Sequence, residues 1–351
     1  MFLGIKYSFK NDGMDRVQSK KIVILSFFCH NGQRSLKRRM NMSQEADLTL
    51  HVRYQRDKWN ERHQATPFSL SAEAHVELID KLKISEHEIR QVYLPIASRF
   101  VELYHHLQQA PRTANIPLII GVAGSVAGGK STIAQIFHTL FEDSLGRDSV
   151  TIVSTDSFLY PMKIMTEKDI LHRKGFPESY DMEGFVRLLY ECKSGFSNFK
   201  VPIYSHDTYD ILPDETLTFT RPKMVIVEGL NVLQVVPVQL DLLKRTSWIA
   251  ADFLDISIYV DAEEENQIIW YLERVKRLWK EARTNPHSYY HQFTSLSEEE
   301  LLNRATNVWN EINHVNLHNY ILPSRERADV ILHKNGDHSV TDIYVQRKLR
   351  I

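Results

Sequence analysis

The sequence predicts an α/β fold: a parallel sheet with helices on both faces, a helical N-terminal segment and a closing C-terminal strand hairpin. Three observations carry this expectation. Short apolar runs rich in β-branched residues alternate with longer stretches of helical periodicity, the pattern of strands joined by crossover helices. The apolar run Ile116–Ala123 passes directly into a glycine-rich turn and leaves it as a helix. Near the C-terminus, Asn335-Gly336 separates two further apolar runs, where a tight reversal is expected.

Residues 43–351 are expected to form a single domain, and its elements follow in order. Ser71 caps a helix with Val76, Ile79 and Leu82 directed inward. Ser85-x-x-Glu88 is a capping box ahead of a segment that puts Ile89, Tyr93, Ile96, Phe100, Leu103 and Leu107 on one side. Pro95 is expected to kink or split that segment, because it lacks an amide hydrogen and its ring crowds the preceding turn. After the glycine-rich turn, Ile133, Ile136, Phe137 and Leu140 stand at i, i+3, i+4 and i+7, one face of a helix. Val150–Ser154, Met224–Val227 and Asp255–Val260 suit buried parallel strands. Long helices are expected near 263–282 and 297–317. The first offers Ile268, Leu272, Val275 and Trp279 to the core, with Tyr271, Arg274 and Leu278 on a neighbouring stripe. The second opens with the capping box Ser297-x-x-Glu300 and buries Leu301, Ala305, Val308, Ile312 and Val315. Val330–His333 and Thr341–Val345 close the chain as a hairpin.

The glycine-rich turn reads Gly124-Ser125-Val126-Ala127-Gly128-Gly129-Lys130-Ser131, followed by Thr132. Glycines let the backbone wrap phosphate oxygens so that successive N–H groups point inward, and the helix N-terminus adds its partial positive charge. In such a P-loop the lysine reaches the β- and γ-phosphates and the serine hydroxyl holds Mg²⁺. The motif therefore predicts a nucleoside triphosphate site on a P-loop NTPase-type sheet, with Lys130 and Ser131 in those two roles.

Ligands of parallel sheets sit at the carboxyl ends of the strands. Two acids fall there. Asp156 follows Val150–Ser154 and suits either a turn or helix cap, or a carboxylate that takes the proton of an attacking hydroxyl. Glu228 ends Met224–Val227 and suits either a plain strand-end acid or a group supporting Mg²⁺. The pair, one strand apart, says more than either residue alone.

Composition bounds the remaining possibilities. The 351 residues are 43% hydrophobic and 25% charged, enough for a substantial core. A net charge of −1 gives no electrostatic reason to expect a nucleic-acid or membrane partner. No apolar stretch approaches the ~18–20 residues of a membrane span. The two cysteines, Cys29 and Cys192, have neither metal spacing nor a disulfide framework, as expected of a cytoplasmic protein. Residues 1–42 stand apart: nine Lys/Arg against Asp12 and Asp15 give the first 41 residues +7 and leave −8 on the rest. Lys20-Lys21 and the apolar Ile22–Phe28 imitate a secretory leader, but the run is short and starts well inside the chain. The segment is expected to be a disordered extension, or to precede a true start at Met42.

Beside the P-loop, the chain carries Lys174-Gly-Phe-Pro-Glu-Ser-Tyr-Asp181, Pro202-Ile-Tyr-Ser-His206, Tyr209-Asp210, Glu228-Gly-Leu-Asn-Val-Leu233 and Ile321-Leu-Pro-Ser-Arg-Glu-Arg327. From about residue 43 to the end it resembles the bacterial type I pantothenate kinases, P-loop kinases related to uridine kinases and phosphoribulokinases. The resemblance implies transfer of phosphate from ATP, with Mg²⁺, to pantothenate as the first step of coenzyme A biosynthesis. It also implies a homodimer, and feedback by coenzyme A. It assigns Asp156 as base, Arg274 to the transferring phosphoryl group and His338 to the adenine. Tyr204, His206, Tyr271 and Asn313 are assigned to the pantothenate pocket, and Tyr289 and Tyr290 to the aromatic segment over it. Leu278 and Arg283 depart from the pattern, standing where aromatic side chains are expected; Arg283 is expected either to face solvent or to pair with the substrate carboxylate. Gln135 lacks the positive charge associated with effector binding there. Uridine kinase and phosphoribulokinase chemistry remain as alternatives. An NTP-driven switch would need an Asn-Lys-x-Asp element to read guanine, and the sequence has none.

Overall fold

Five parallel strands form the centre of the computed structural model, which describes residues 50–62, 70–239 and 247–349. The basic segment 1–42, and with it the expectation of a disordered extension, lies outside the described residues. In chain order the strands are β1 His51–Gln55, β2 Leu118–Gly124, β3 Val150–Ser154, β4 Asn198–Ser205, β5 Asp210–Thr220, β6 Met224–Gly229, β7 Val238–Gln239, β8 Ser247–Trp248, β9 Ile256–Ala262, β10 Val330–Lys334 and β11 Val340–Gln346. The main sheet runs β3-β6-β2-β9-β10-β11-β1, and only β11 opposes the common direction. β4 with β5 and β7 with β8 pair separately as antiparallel hairpins.

Every residue of β2, β6 and β9 is buried, as central strands covered on both faces must be. Alternate side chains then serve two cores. Ile120, Val122, Ile226, Ile258 and Leu332 pack with Ile133, Ile136 and Phe137 of the P-loop helix Lys130–Leu145 and with Ile96 and Phe100 of the helix Leu94–Gln108. Ile119, Val225, Val227, Tyr259 and Ile331 pack on the opposite face with Phe185, Leu188 and Leu189 of the helix Met182–Lys193. Each fully buried Ile or Leu contributes about 1.5–3 kcal/mol by leaving water.

Several local expectations need correction. Helical winding changes pitch at four places, Val76–Lys81, Ile89–Tyr93, Trp309–Asn313 and Leu317–Ile321, where π-helical turns replace α-helical ones. A π-turn adds a residue per turn and rotates everything beyond it. Ser71 caps its helix as expected, yet Leu78 is the buried residue and Val76 is exposed. In the C-terminal helical run Trp309 is buried and Val308 is exposed. Pro95 falls at the junction where π-winding gives way to the α-helix Leu94–Gln108, so it marks a change of winding and the chain stays helical through it. Only half of the Ser85–Glu88 box forms: Ser85 Oγ accepts from the Glu88 amide, while the Glu88 carboxylate accepts from Tyr93 and from the Val340 amide. The Ser297–Glu300 box closes in both directions. In the helix Glu264–Glu281 the fully buried residues are Gln267, Trp270, Val275 and Trp279, whereas Ile268 and Leu272 are half-buried. In the β10–β11 reversal the left-handed residue is His338, φ +69°, not Gly336. The loop is a four-residue turn closed by His338 N–H to Asn335 O at 2.9 Å.

The Leu-Pro-Ser-Arg-Glu-Arg run has a structural explanation. Arg325 reaches Asp261 at the end of β9, with Nη2 at 3.0 Å and Nε at 3.1 Å, and its guanidinium lies 5.3 Å from the Tyr344 ring centroid. His333 Nδ1 lies 3.0 Å from the same Asp261 oxygen. Burial would raise the Asp261 pKa, but the bonds from His333 and Arg325 prevail and hold it below the ordinary carboxylate value.

Candidate active site

The P-loop begins where β2 stops. Gly124 has φ +147°, and a Cβ there would lie 2.5 Å from the Val260 carbonyl of β9, so no side chain fits. Ala127 sits in the left-handed region at φ +59°, an uncommon conformation held by the loop around it. Gly128 N–H closes the turn onto Ser125 O at 3.3 Å. The helix beginning at Lys130 has no side-chain cap, which leaves the first N–H groups, those of Lys130, Ser131 and Thr132, for an anion. Lys130 Nζ donates to Ser125 O at 2.8 Å, folding its ammonium back over the loop.

Two acids face this loop from adjacent strand ends. Ser154 of β3 pairs in register with Glu228 of β6, and Asp156 follows on the 3-10 turn Thr155–Phe158. The strands approach closely at this point because residue 229 is glycine: a Cβ there would lie 1.7 Å from Thr155 Oγ1. Ser154, not Asp156, caps the turn, its hydroxyl accepting from the Asp156 amide at 3.3 Å. That leaves the Asp156 carboxylate free for the cavity, where Tyr180 donates to Oδ1 at 3.3 Å. Glu228 is buried and hydrogen-bonded by the hydroxyls of Ser154 and Ser131; desolvation lifts its pKa above the ordinary value against the pull of Lys130. Desolvation also lowers the pKa of Lys130, opposed by Glu228 and Asp156. The site is thus dense in charge.

A cavity of about 360 Å³ opens beyond these groups, a volume suited to a small metabolite. Lys130, Ser131, Asp156 and Glu228 form one end. Tyr204, His206, Tyr271, Arg274, Tyr289, Tyr290 and Asn313 line the remainder, so every pocket residue named from the sequence is gathered here. Tyr271 shares a hydrogen bond with Asn313 and packs at a tilt against Trp309, ring centroids 5.5 Å apart. Tyr271 and Arg274 meet the same cavity because they stand one helical turn apart. Tyr204 meets His206 edge-on at 5.2 Å, and Tyr289 meets Tyr290 edge-on at 5.5 Å.

The cavity also holds residues given no role from the sequence. Tyr209, with φ +59°, stacks on Tyr289 at 4.6 Å and completes the aromatic wall. Lys174 Nζ lies 3.6 Å from the Tyr209 ring centroid and donates to the Tyr209 carbonyl. Desolvation pushes its pKa down to about 8, against the pull of Asp210 and Asp156. Asn316 donates to Gly175 O at 2.7 Å and ties this loop to the C-terminal helical run. The signal lay in the Lys174–Asp181 and Tyr209-Asp210 elements, but a lysine or tyrosine facing a cavity reads like one on a surface until the fold is known.

Four residues fall elsewhere. His338 is not in the cavity lining; it stacks at 4.2 Å on Trp270, whose other neighbour, Lys334 Nζ, lies 3.4 Å from Gly128 O behind the P-loop. Arg283 is exposed, its guanidinium 4.2 Å from the Trp279 ring centroid, so it does not meet a substrate carboxylate in this cavity. Leu278 is half-buried and also outside the lining, and Gln135 is half-buried on the P-loop helix.

The chain is similar in sequence to known kinases. The family model of the phosphoribulokinase/uridine kinase family matches residues 119–277. A pantothenate kinase of Brevibacillus brevis is 42% identical over 309 residues, covering 85% of this chain and 96% of its own length. One from Streptococcus thermophilus is 40% identical over 83% of this chain and 96% of its own, and one from Parvibaculum lavamentivorans 40% identical over 83% and 91%.

Proposed function

Because the chain belongs to the pantothenate kinase family, we propose that it transfers the γ-phosphoryl group of ATP to the terminal hydroxyl of pantothenate, giving 4′-phosphopantothenate and ADP, the first step of coenzyme A biosynthesis. The observation that carries this reading is one cavity with a phosphate cradle at one end and a tyrosine-lined compartment at the other, joined at Asp156.

The cradle N–H groups and Lys130 hold the β- and γ-phosphates, where positioning and charge neutralisation supply most of the rate. Asp156 orients the pantothenate hydroxyl and accepts its proton as the oxygen attacks phosphorus and the bond to the ADP oxygen breaks. Arg274 stabilises negative charge spread over the transferring group. The Ser131 hydroxyl and Glu228 carboxylate are hard oxygen donors that already share a hydrogen bond, a set suited to Mg²⁺. Mg²⁺, when bound, neutralises charge between the β- and γ-phosphates. The tyrosines, His206, Asn313 and Lys174 orient the hydroxyl, amide and carboxylate groups of pantothenate. His338, stacked on Trp270 beside the P-loop, is assigned to the adenine.

Membership of the family also supports a cytoplasmic homodimer under feedback by coenzyme A. Among the described residues no helix is long and apolar enough to cross a membrane. The deciding experiment is coupled ADP release with pantothenate, uridine or ribulose 5-phosphate as sole acceptor. Pantothenate alone is expected to support turnover; activity with either of the others and not with pantothenate would reject the assignment.

A further inference from the structure

Outside the cavity, Glu264, His314 and His318 meet in a cluster that the phosphoryl transfer does not use. Glu264 is the first residue of the helix Glu264–Glu281, and the histidines stand four apart on the C-terminal helical run. His314 Nδ1 lies 2.6 Å from one Glu264 oxygen and His318 Nε2 lies 2.9 Å from the other. The imidazole centroids are 4.4 Å apart, and one ligand atom from each of the three side chains falls within 4.8 Å of the other two.

We propose that Glu264, His314 and His318 bind a divalent transition-metal ion, with Zn²⁺ the fitting representative, and that the ion clamps together the two helical elements that wall the cavity. Two histidines at i and i+4 present their rings on one helix side, the spacing that recurs in zinc sites, and a carboxylate from a second element completes a three-residue set. Nitrogen donors select Zn²⁺, Co²⁺, Ni²⁺ or Cu²⁺ over Mg²⁺ or Ca²⁺. Ligand atoms at bond lengths of about 2.0–2.1 Å around a tetrahedral ion stand roughly 3.3–3.5 Å apart. The two histidine–carboxylate separations of 2.6 and 2.9 Å need to open by less than an ångström, and the two histidines are exposed enough to turn and bring all three ligand atoms, already within 4.8 Å, to that spacing. The open fourth position faces solvent and takes water.

The clamp bears on the cavity through chain connectivity. Glu264 leads the helix that carries Tyr271 and Arg274, and His314 immediately follows Asn313. The site is separate from Ser131 and Glu228, so it can be tested without disturbing the P-loop.

The full chain, stripped of metal by chelation and returned to buffer containing Mg²⁺, is titrated with Co²⁺ alone and then with Zn²⁺ alone. One equivalent of Co²⁺ should develop visible d–d bands, Zn²⁺ should bleach them, and Zn²⁺ should raise Tm. His314→Ala, His318→Ala and Glu264→Gln should each weaken Co²⁺ binding by about tenfold or more and abolish the Tm rise, while ADP release with Mg²⁺ persists. Glu264→Gln keeps a hydrogen-bonding partner for both histidines and so guards against loss of folding as the cause. The chain has 16 histidines, and attribution rests on these variants. If wild type binds no Co²⁺, or if the double variant His314→Ala/His318→Ala binds it with unchanged stoichiometry and affinity, the cluster is an ion-paired helix cap and the proposal fails.

Discussion

Tyr180 donates its phenolic hydrogen to Asp156 Oδ1 at 3.3 Å, joining the Lys174–Asp181 segment to the carboxylate at the end of β3. The bond engages Oδ1 and leaves Oδ2 of Asp156 for the acceptor hydroxyl. Asp156→Asn should retain ATP binding while kcat falls by on the order of 10²–10⁴. Tyr180→Phe, which removes the tether and keeps the carboxylate, should cost about tenfold. Steady-state kinetics with a nucleotide-binding titration check both; an Asn variant with more than a tenth of wild-type kcat would exclude Asp156 as the base.

Lys130 Nζ donates to Ser125 O at 2.8 Å, which holds its ammonium over the loop. Lys130→Met should lower turnover and ATP affinity together, unlike Asp156→Asn. Fluorescence titration with an ATP analogue separates the two; unchanged nucleotide affinity in the Met variant would contradict the assigned role.

Lys174, pushed down to about 8, should be half deprotonated near that pH in the free enzyme. Its ammonium faces the cavity, so KM for pantothenate should rise as pH climbs through about 8, with kcat less affected. Lys174→Met should show the higher KM throughout and a flat pH profile. A wild-type KM that is constant between pH 7 and pH 9 would count against an electrostatic role for this side chain.

The Asp261–His333–Arg325 group makes stability depend on pH in a calculable direction. His333 is raised above 6.5, chiefly by its bond to Asp261. Its contribution is complete below the unfolded imidazole pKa of ~6.5 and is lost as pH rises through the folded value. Asp261 is lowered below 3.8, so its contribution is present above the unfolded carboxylate value and is lost as pH falls through the folded one. Stability should therefore be greatest between these limits. Thermal melts from pH 5 to pH 9 should decline above neutrality, and His333→Gln should flatten that limb; a variant with the wild-type slope would place the titrating group elsewhere.

Gly229→Ala should be among the more damaging single-methyl additions, because the new carbon meets Thr155 with no room to retreat between two buried strands. Overpacking of this kind typically costs 1–3 kcal/mol. Thr155→Gly in the same chain should recover part of the loss in Tm. No loss in the single variant would mean that β3 and β6 separate easily, contrary to the packing described.

The alternation of strands and helices was legible because burial on both faces writes itself as continuous apolar runs: β2, β3, β6, β9, β10 and β11 all fall within a few residues of their expected positions. The β4–β5 hairpin was not, since its strands mix Pro202, Pro213 and charged residues and bury only a short patch at Phe199, Val201 and Phe219. Among site residues, the P-loop announced itself through spacing alone. Asp156 and Glu228 were legible from their place at strand ends. Tyr204, His206, Asn313, Tyr271 and Arg274 needed the family resemblance, because neither charge nor periodicity separates a cavity-facing polar residue from a buried or solvated one. Tyr209 and Lys174 were missed for the same reason. The π-turns left no trace in the apolar pattern.

Those π-turns have a consequence for how the site tolerates change. Each is equivalent to one residue inserted into an otherwise regular helix, so the bearing of Asn313 and Asn316 toward the cavity depends on how many residues precede them as well as on which they are. Forcing this run into regular α-winding with every residue kept would swing everything beyond it by about 100°. Asn313 would leave the cavity with its chemistry unaltered. Substitutions that favour regular α-winding around Trp309 would therefore disarm this wall without touching a residue that lines it.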